Sequence, residues 1–132
     1  MADAKLIKEC QVSITNETGS GAKLLATLEK AGLNMKGVVG YQLGQDQASM
    51  HVLVEDYGKA CEAIRNAGYS CETVDVALVE VEDRLGAVAE VLGRLAKAGI
   101  PVEHCYATAG TGGRSLLALR TKDNVKAMMA LR

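Results

Sequence analysis

The chain contains one segment twice. Thr15 to Met35, TNETGSGAKLLATLEKAGLNM, lies without a gap over Glu82 to Val102, EDRLGAVAEVLGRLAKAGIPV, at a shift of 67 residues. Gly19/Gly86, Ala22/Ala89, Leu25/Leu92, Leu28/Leu95, Lys30/Lys97, Ala31/Ala98 and Gly32/Gly99 are identical, while Leu33/Ile100 and Met35/Val102 stay apolar. A repeat that fills a chain of 132 residues reduces the folding problem to one small unit used twice. A unit of about 65 residues buries little surface alone, so the copies are expected to support each other.

Each copy reads as the same succession of elements. Cys10, Val12 and Ile14 alternate with Gln11, Ser13 and Thr15, the period of a half-buried strand, and Val76 to Val81 is its second equivalent. Asn16 and Asp83 suit the start of a helix as polar capping residues. Leu24, Leu25, Leu28 and Ala31 make an apolar helical stripe closed by Gly32, and Val88, Val91, Leu92 and Leu95, closed by Gly99, repeat it. Extended segments follow over Leu33 to Leu43 and Ile100 to Thr108. Gly44 to Asp46 and Gly110 to Gly113 read as hairpin turns before strands Ala48 to Glu55 and Ser115 to Arg120. Second helices are expected over Tyr57 to Ala67 and Asp123 to Leu131, and Tyr69 to Val74 supplies a last strand to the first copy. The order is strand, helix, strand, strand, helix, strand. No Gly/Ser or Pro linker separates Val74 from Val76, so the copies are coupled.

The repeat also settles a phosphate-loop lookalike. Gly19, Gly21 and Lys23 in NETGSGAKLL are too closely spaced for a phosphate loop, and Leu24 stands where its hydroxyl belongs. The second copy replaces Gly21 by Val88 and Lys23 by Glu90, so what the copies share is a helix start. Such a start presents unpaired N–H groups and a positive dipole end, which suit an anion such as a carboxylate.

Composition narrows the partners. Lys plus Arg number 15 against 16 acidic residues, with no Trp or Phe, so neither phosphate neutralisation nor base stacking is provided and nucleic acid is not expected. No apolar run approaches the length of a membrane span, and the charged start MADAKLIKEC lacks a signal-peptide core, so no membrane association and a cytoplasmic location are expected. Cys10, Cys61, Cys71 and Cys105 lack the paired spacing of a zinc or redox motif and read as reduced, mostly buried thiols. His104 and Cys105, as strand neighbours, point to opposite faces and are not catalytic partners. His51, inside an apolar alternation, reads as structural or solvent-facing rather than as a metal ligand. Without a convergent nucleophile, base or metal set, the chain is not expected to be an enzyme, and no cofactor is expected.

The segment from Glu82 to Ile100 followed by PVEHCYA resembles the opening of an ACT domain, whose usual signature is Asp-Arg-Pro-Gly-x-Leu before an amphipathic helix ending Ala-Gly-Ile. The first copy resembles it more loosely, and the two together cover nearly the whole chain. The resemblance implies an α+β protein of two tandem ferredoxin-like βαββαβ units, residues 1–75 and 76–132, the second lacking its last strand. It implies a small regulatory protein that binds a free amino acid at an ACT-domain interface and modulates a metabolic enzyme or regulator, the alternative being a small subunit or scaffold that recruits an enzyme through sheet edges without a ligand. Carried over by position, the ligand-binding residues are Asp83, Leu85, Gly86, Ala87 and Val88, with Asn16, Thr18, Gly19 and Ser20 as their counterparts. A facing wall is expected near Met35, Lys36 and Gly37 or Val102, Glu103 and His104. Leu85 and Thr18 stand where the family usually has proline. The absent last strand leaves a sheet edge open to Cys71 to Val74, to Lys5 to Lys8 or to another chain, and a homodimer is expected.

Overall fold

A computed structural model describes residues 3–108 and 112–132. The chain runs β1 (Asp3–Thr15), α1 (Ser20–Lys30), β2 (Met35–Gln42), β3 (Gln47–Val54), α2 (Tyr57–Asn66), β4 (Cys71–Glu82), α3 (Ala87–Lys97), β5 (His104–Thr108), β6 (Arg114–Arg120) and α4 (Asn124–Leu131). The expected last strand of the first copy and first strand of the second are therefore one strand, β4. The chain divides into two compact units, Lys8–Val74 and Asp75–Arg132 together with the first residues up to Ile7, so the division falls inside β1 and β4.

In the unit Lys8–Val74 the strand order is β2-β3-β1-β4. β3 pairs antiparallel with β1, Cys10 opposite Val52 and Ile14 opposite Ala48, and with β2, where the register shifts between Met35 and Gly37. Cys10, Val12 and Ile14 project from one face of β1 and meet Val52 and Val54 of β3, Leu24 and Leu28 of α1, and Ala60 and Ile64 of α2. Leu24, Leu28 and Ile64 are fully buried, each contributing roughly 1.5–3 kcal/mol of apolar transfer.

In the other unit the order is β1-β4-β6-β5. Ala77, Val79 and Val81 of β4 meet Val91 and Leu95 of α3, Leu117 and Leu119 of β6, and Ala127 and Leu131 of α4. The position beside β4 that the repeat leaves without a strand of its own is taken by the start of β1, whose Ala4 packs on this core. Of the three candidates for the open edge, the N-terminal segment fills it. The argument for a homodimer from an unfilled edge thereby loses its premise.

The shift of 67 runs through the packing as well as the sequence. Cys10/Ala77, Val12/Val79, Ile14/Val81, Leu24/Val91, Leu28/Leu95, Val52/Leu119, Ala60/Ala127 and Ile64/Leu131 occupy matching core positions. Backbone bonds repeat too: Asn16 N–H to Asp46 C=O (3.0 Å) matches Asp83 N–H to Gly113 C=O (2.8 Å), and Leu33 N–H to Leu28 C=O matches Ile100 N–H to Leu95 C=O. Asp56 and Asp123 cap α2 and α4, each carboxylate accepting from the backbone N–H three residues on, at 3.1 and 3.0 Å. Those are the side-chain caps; Asn16 and Asp83 do not act as caps. The N-cap residues of α1 and α3 are Gly19 and Gly86, left-handed at φ 86° and 84°, with no side-chain cap bond. The two glycines are thus required by the backbone conformation itself. In the turn expected over Gly110 to Gly113, Gly110 and Thr111 lie outside the described residues, while Gly112 and Gly113 both have positive φ.

Candidate functional site

The loop from β1 into α1 forms one wall of a cleft of about 490 Å³, within the unit Lys8–Val74. Its volume falls in the range of roughly 300–1,000 Å³ usual for small-molecule sites. Thr18, Gly19 and Ser20 line it, as three of the four residues expected in this loop. The fourth, Asn16, instead ties the loop to the β2–β3 turn, its side-chain amide donating to the Gln45 carbonyl at 3.2 Å. Ser13 to Thr15 at the end of β1, Gln47 of β3 and the turn Gly68-Tyr69-Ser70 complete the cleft. That turn lies some fifty residues along the chain from the loop, and no local motif announces it. Gly68, at φ 96°, is the helix-terminating glycine that brings Tyr69 and Ser70 round.

Charge and dipole converge on the cleft. Lys23 N–H donates to Gly19 C=O at 3.0 Å, the first intrahelical bond of α1, so the amides of Gly21 and Ala22 have no acceptor within the helix and carry the positive dipole end. The Lys23 side chain lines the same cleft, and so does Glu17. The Thr15 and Ser20 hydroxyls, on two residues that line it, lie 3.1 Å apart. The cleft thus offers a cation for a carboxylate, a carboxylate for an ammonium, and hydroxyls. Lys23, set apart from the ligand set because the repeat does not share it, is one of the residues brought together here.

The second loop is arranged differently. Leu85 is 100% exposed, Gly86 is exposed, Ala87 is buried in the core and Val88 packs on it. Asp83 is exposed and is held by its backbone, not its carboxylate. Arg84 bridges the loop, donating to Glu90 at 2.6 Å and lying 3.4 Å from Glu82. The Arg84 guanidinium hydrogen-bonded to Glu90 holds that carboxyl below the usual range. Glu90 occupies the position of Lys23, so the second helix start presents a carboxylate where the first presents an amine.

Of the expected facing-wall residues, Met35 borders a shallow groove beside the α1 C-terminus with Leu25, Gly32 and Leu33, and Val102 borders its counterpart with Leu92, Gly99 and Ile100. Lys36 pairs with Glu55 at 3.6 Å, Gly37 is buried, Glu103 is exposed and His104 is half-buried. A buried polar group in the Lys8–Val74 unit leaves no mark in the residue pattern. His51 Nδ1–H donates to Glu9 at 2.8 Å, and His51 Nε2 meets the Tyr41 hydroxyl at 3.0 Å and Ser49 Oγ at 3.3 Å. Ser49, His51 and Glu9 have the order of a hydrolytic triad, yet Ser49 is 2% exposed and its Oγ is out of a substrate's reach. His51 is buried, not solvent-facing.

The sequence pattern of the ACT domain pair matches residues 5–131. The chain belongs to the ACT domain pair family. Its fold resembles that of a protein from Bacteroides thetaiotaomicron at a TM-score of 0.88 and 23% identity, covering 97% of this chain and 88% of that one. It also resembles the ligand-free regulatory subunit of aspartate kinase from Thermus thermophilus, at a TM-score of 0.69 and 17% identity over 98% of this chain and 93% of that one. A third likeness is to the structure of aspartokinase alpha and beta subunits, at 0.59 and 14% identity over 96% and 93%. No curated protein matches the chain. This ACT domain pair is an α+β protein of tandem ferredoxin-like units, and among its described residues no helix is long and apolar enough to cross a membrane.

Proposed function

We propose that this ACT domain pair is a regulatory protein, not an enzyme, that binds a free amino acid and thereby modulates a metabolic enzyme in the cytoplasm. The supporting observation is the cleft at the start of α1, where Lys23 and Glu17 complement the two charges of a zwitterion. The likeness to the regulatory subunit of aspartate kinase is one of fold; it agrees with a regulatory role and leaves the ligand to the cleft. Of the two loops expected to bind, the first carries the ligand in this reading, because Glu90 and its bond to Arg84 oppose a carboxylate at the second. A thermal-shift screen of the twenty amino acids tests the proposal. A ligand at about 100 times its dissociation constant adds about 2.7 kcal/mol to stability, and Lys23→Met should reduce that gain while leaving the unliganded melting temperature in place. Absence of stabilisation by every amino acid at millimolar concentration would refute it.

Association as a homodimer belongs to the same proposal on a different ground from the open edge. β2 is the outer strand of its unit's sheet and exposes Val38 and Tyr41, with Leu43 62% exposed just beyond it. An outer strand with apolar residues is a surface for pairing. The same strand favours the alternative, a scaffold that recruits an enzyme without any ligand. Light scattering separates the two: a mass near twice 13.9 kDa supports the dimer, whereas a monomer that copurifies with an enzyme and ignores amino acids supports the scaffold.

A further inference from the structure

We propose, resting on the reading of the cleft beside α1 as an amino-acid site, that its ligand is a neutral amino acid with a hydroxyl or carboxamide side chain: serine, threonine, asparagine or glutamine. Charge sets the first limit. Among the described residues that line the cleft, the charged ones are Lys23 and Glu17, one of each sign. Both are engaged once the α-carboxylate and α-ammonium of the ligand are in place. An acidic or basic side chain would then bring a third charge to a lining that holds no further partner for it, and a charge taken from water without a partner costs affinity.

Polarity sets the second limit. Ser13, Thr15, Thr18, Ser20 and Ser70 bring hydroxyls to the lining, and Gln47 a carboxamide. At 3.1 Å one of the Thr15 and Ser20 hydroxyls donates to the other, which uses one of their two protons and leaves the second, with the remaining lone pairs, for a ligand that both donates and accepts. The large apolar side chains of the lining belong to the core instead: Ile14 is 8% exposed, and Tyr69 packs against the same core. A leucine or phenylalanine side chain seated here would take water from the hydroxyls and give no hydrogen bond back. Such a side chain is better matched by the groove of about 450 Å³ beside the α1 C-terminus, which Leu25, Leu33 and Met35 border. The fold itself does not ask for the hydroxyls. At the shift of 67, Thr15, Thr18 and Ser20 correspond to Glu82, Leu85 and Ala87, and the second helix starts from the same left-handed glycine without any of them.

Isothermal titration of the whole protein with the twenty amino acids, compared in matched pairs, tests the specificity. Threonine against valine and serine against alanine isolate the hydroxyl; asparagine against aspartate and glutamine against glutamate isolate the charge. The tightest ligand should be one of the four neutral polar amino acids, and its partner in the pair should bind about tenfold or more weakly, the loss of roughly one well-made hydrogen bond. Thr15→Val keeps the shape of the side chain and suits a strand, so it removes the hydroxyl alone and should weaken that ligand about twofold to tenfold. Any amino acid outside the four as the tightest ligand, or an unchanged affinity in Thr15→Val, would overturn the assignment while leaving an amino acid as the ligand. No binding by any amino acid at millimolar concentration would remove both.

Discussion

Replacing His51 by leucine removes the Nδ1–H that serves the Glu9 carboxylate, and both side chains are 0% exposed. Glu9 would then sit in the interior without its 2.8 Å donor. Breaking a buried pair from one side costs about 3–5 kcal/mol, a large share of the 5–15 kcal/mol that holds a domain folded. With a urea dependence near 2 kcal/mol per molar, the midpoint for this unit should fall by roughly 1.5–2.5 M. Glu9→Gln is a milder test, because its carboxamide oxygen still accepts from His51 and the loss is that between a charged and a neutral hydrogen bond, about 1 kcal/mol. Replacing both residues, Glu9→Met with His51→Leu, should recover most of the loss, since a well-packed apolar pair removes both buried polar groups together. Tyrosine fluorescence reports mainly on the right unit, as three of the four tyrosines, Tyr41, Tyr57 and Tyr69, lie within Lys8–Val74 and Tyr106 lies in the other. Tyr41 also stacks on His51, with ring centroids 5.5 Å apart. A His51→Leu midpoint within about 0.5 M of the parent, or a double variant as weak as the two single losses combined, would show that the pair does not behave as a coupled buried interaction.

Gly19→Ala and Gly86→Ala should each cost about 1–2 kcal/mol by calorimetry, because both glycines are left-handed and an added Cβ meets nothing within 4 Å, so the loss is backbone strain. Gly86→Val should therefore lose stability as well as any binding, and an unchanged melting temperature would contradict the backbone role. Leu95→Ala, at a fully buried position, should cost about 2–5 kcal/mol, whereas Leu85→Ala, fully exposed, should stay within about 0.5 kcal/mol in the same denaturation assay. Deleting the residues before Lys8 takes the start of β1 from beside β4 and Ala4 from its core; cross-linking and light scattering should then show association through the uncovered edge, and a well-behaved monomer would count against it.

Most of the fold was legible because it was written twice. A strand pattern such as Cys10, Val12, Ile14 is weak by itself, but its match to Ala77, Val79, Val81 at the same shift as two helical stripes leaves little freedom. Three features were not legible. The extension of β1 back to Asp3 was only one of three candidates for the open edge, because Leu6 and Ile7 between lysines show no alternation that marks a strand. The glycine N-caps look in sequence like a site for ligand approach, with Asn16 and Asp83 as the cap, because positive φ leaves no trace beyond the glycine itself. The far wall of the cleft, Tyr69 and Ser70, and the Glu9–His51 pair both depend on contacts across long stretches of chain, which periodicity does not report.

The two helix starts share a backbone and differ in charge, and that difference bears on how one site arises from a repeat. Gly19 and Gly86 set the same left-handed turn, and both first turns aim unpaired amides out of the helix. With geometry held constant, the side chain at the fourth helical position decides what those amides meet. Lys23 adds a positive charge beside the dipole end, which favours an incoming carboxylate by roughly 0.3–1 kcal/mol beyond the dipole alone at an exposed position. Glu90 sets its own carboxylate by the corresponding dipole end, where Arg84 holds it at 2.6 Å. An anion approaching α3 has to compete with that fixed internal carboxylate, whereas one approaching α1 meets Lys23 in a cleft that Glu17 also lines. Exchanging the charges should therefore bear differently on the two loops: Lys23→Glu should weaken the stabilisation by a free amino acid. Glu90→Lys alone should leave it in place, because the first loop is untouched. Stabilisation surviving Lys23→Glu but lost in Glu90→Lys would place the ligand at the second loop instead.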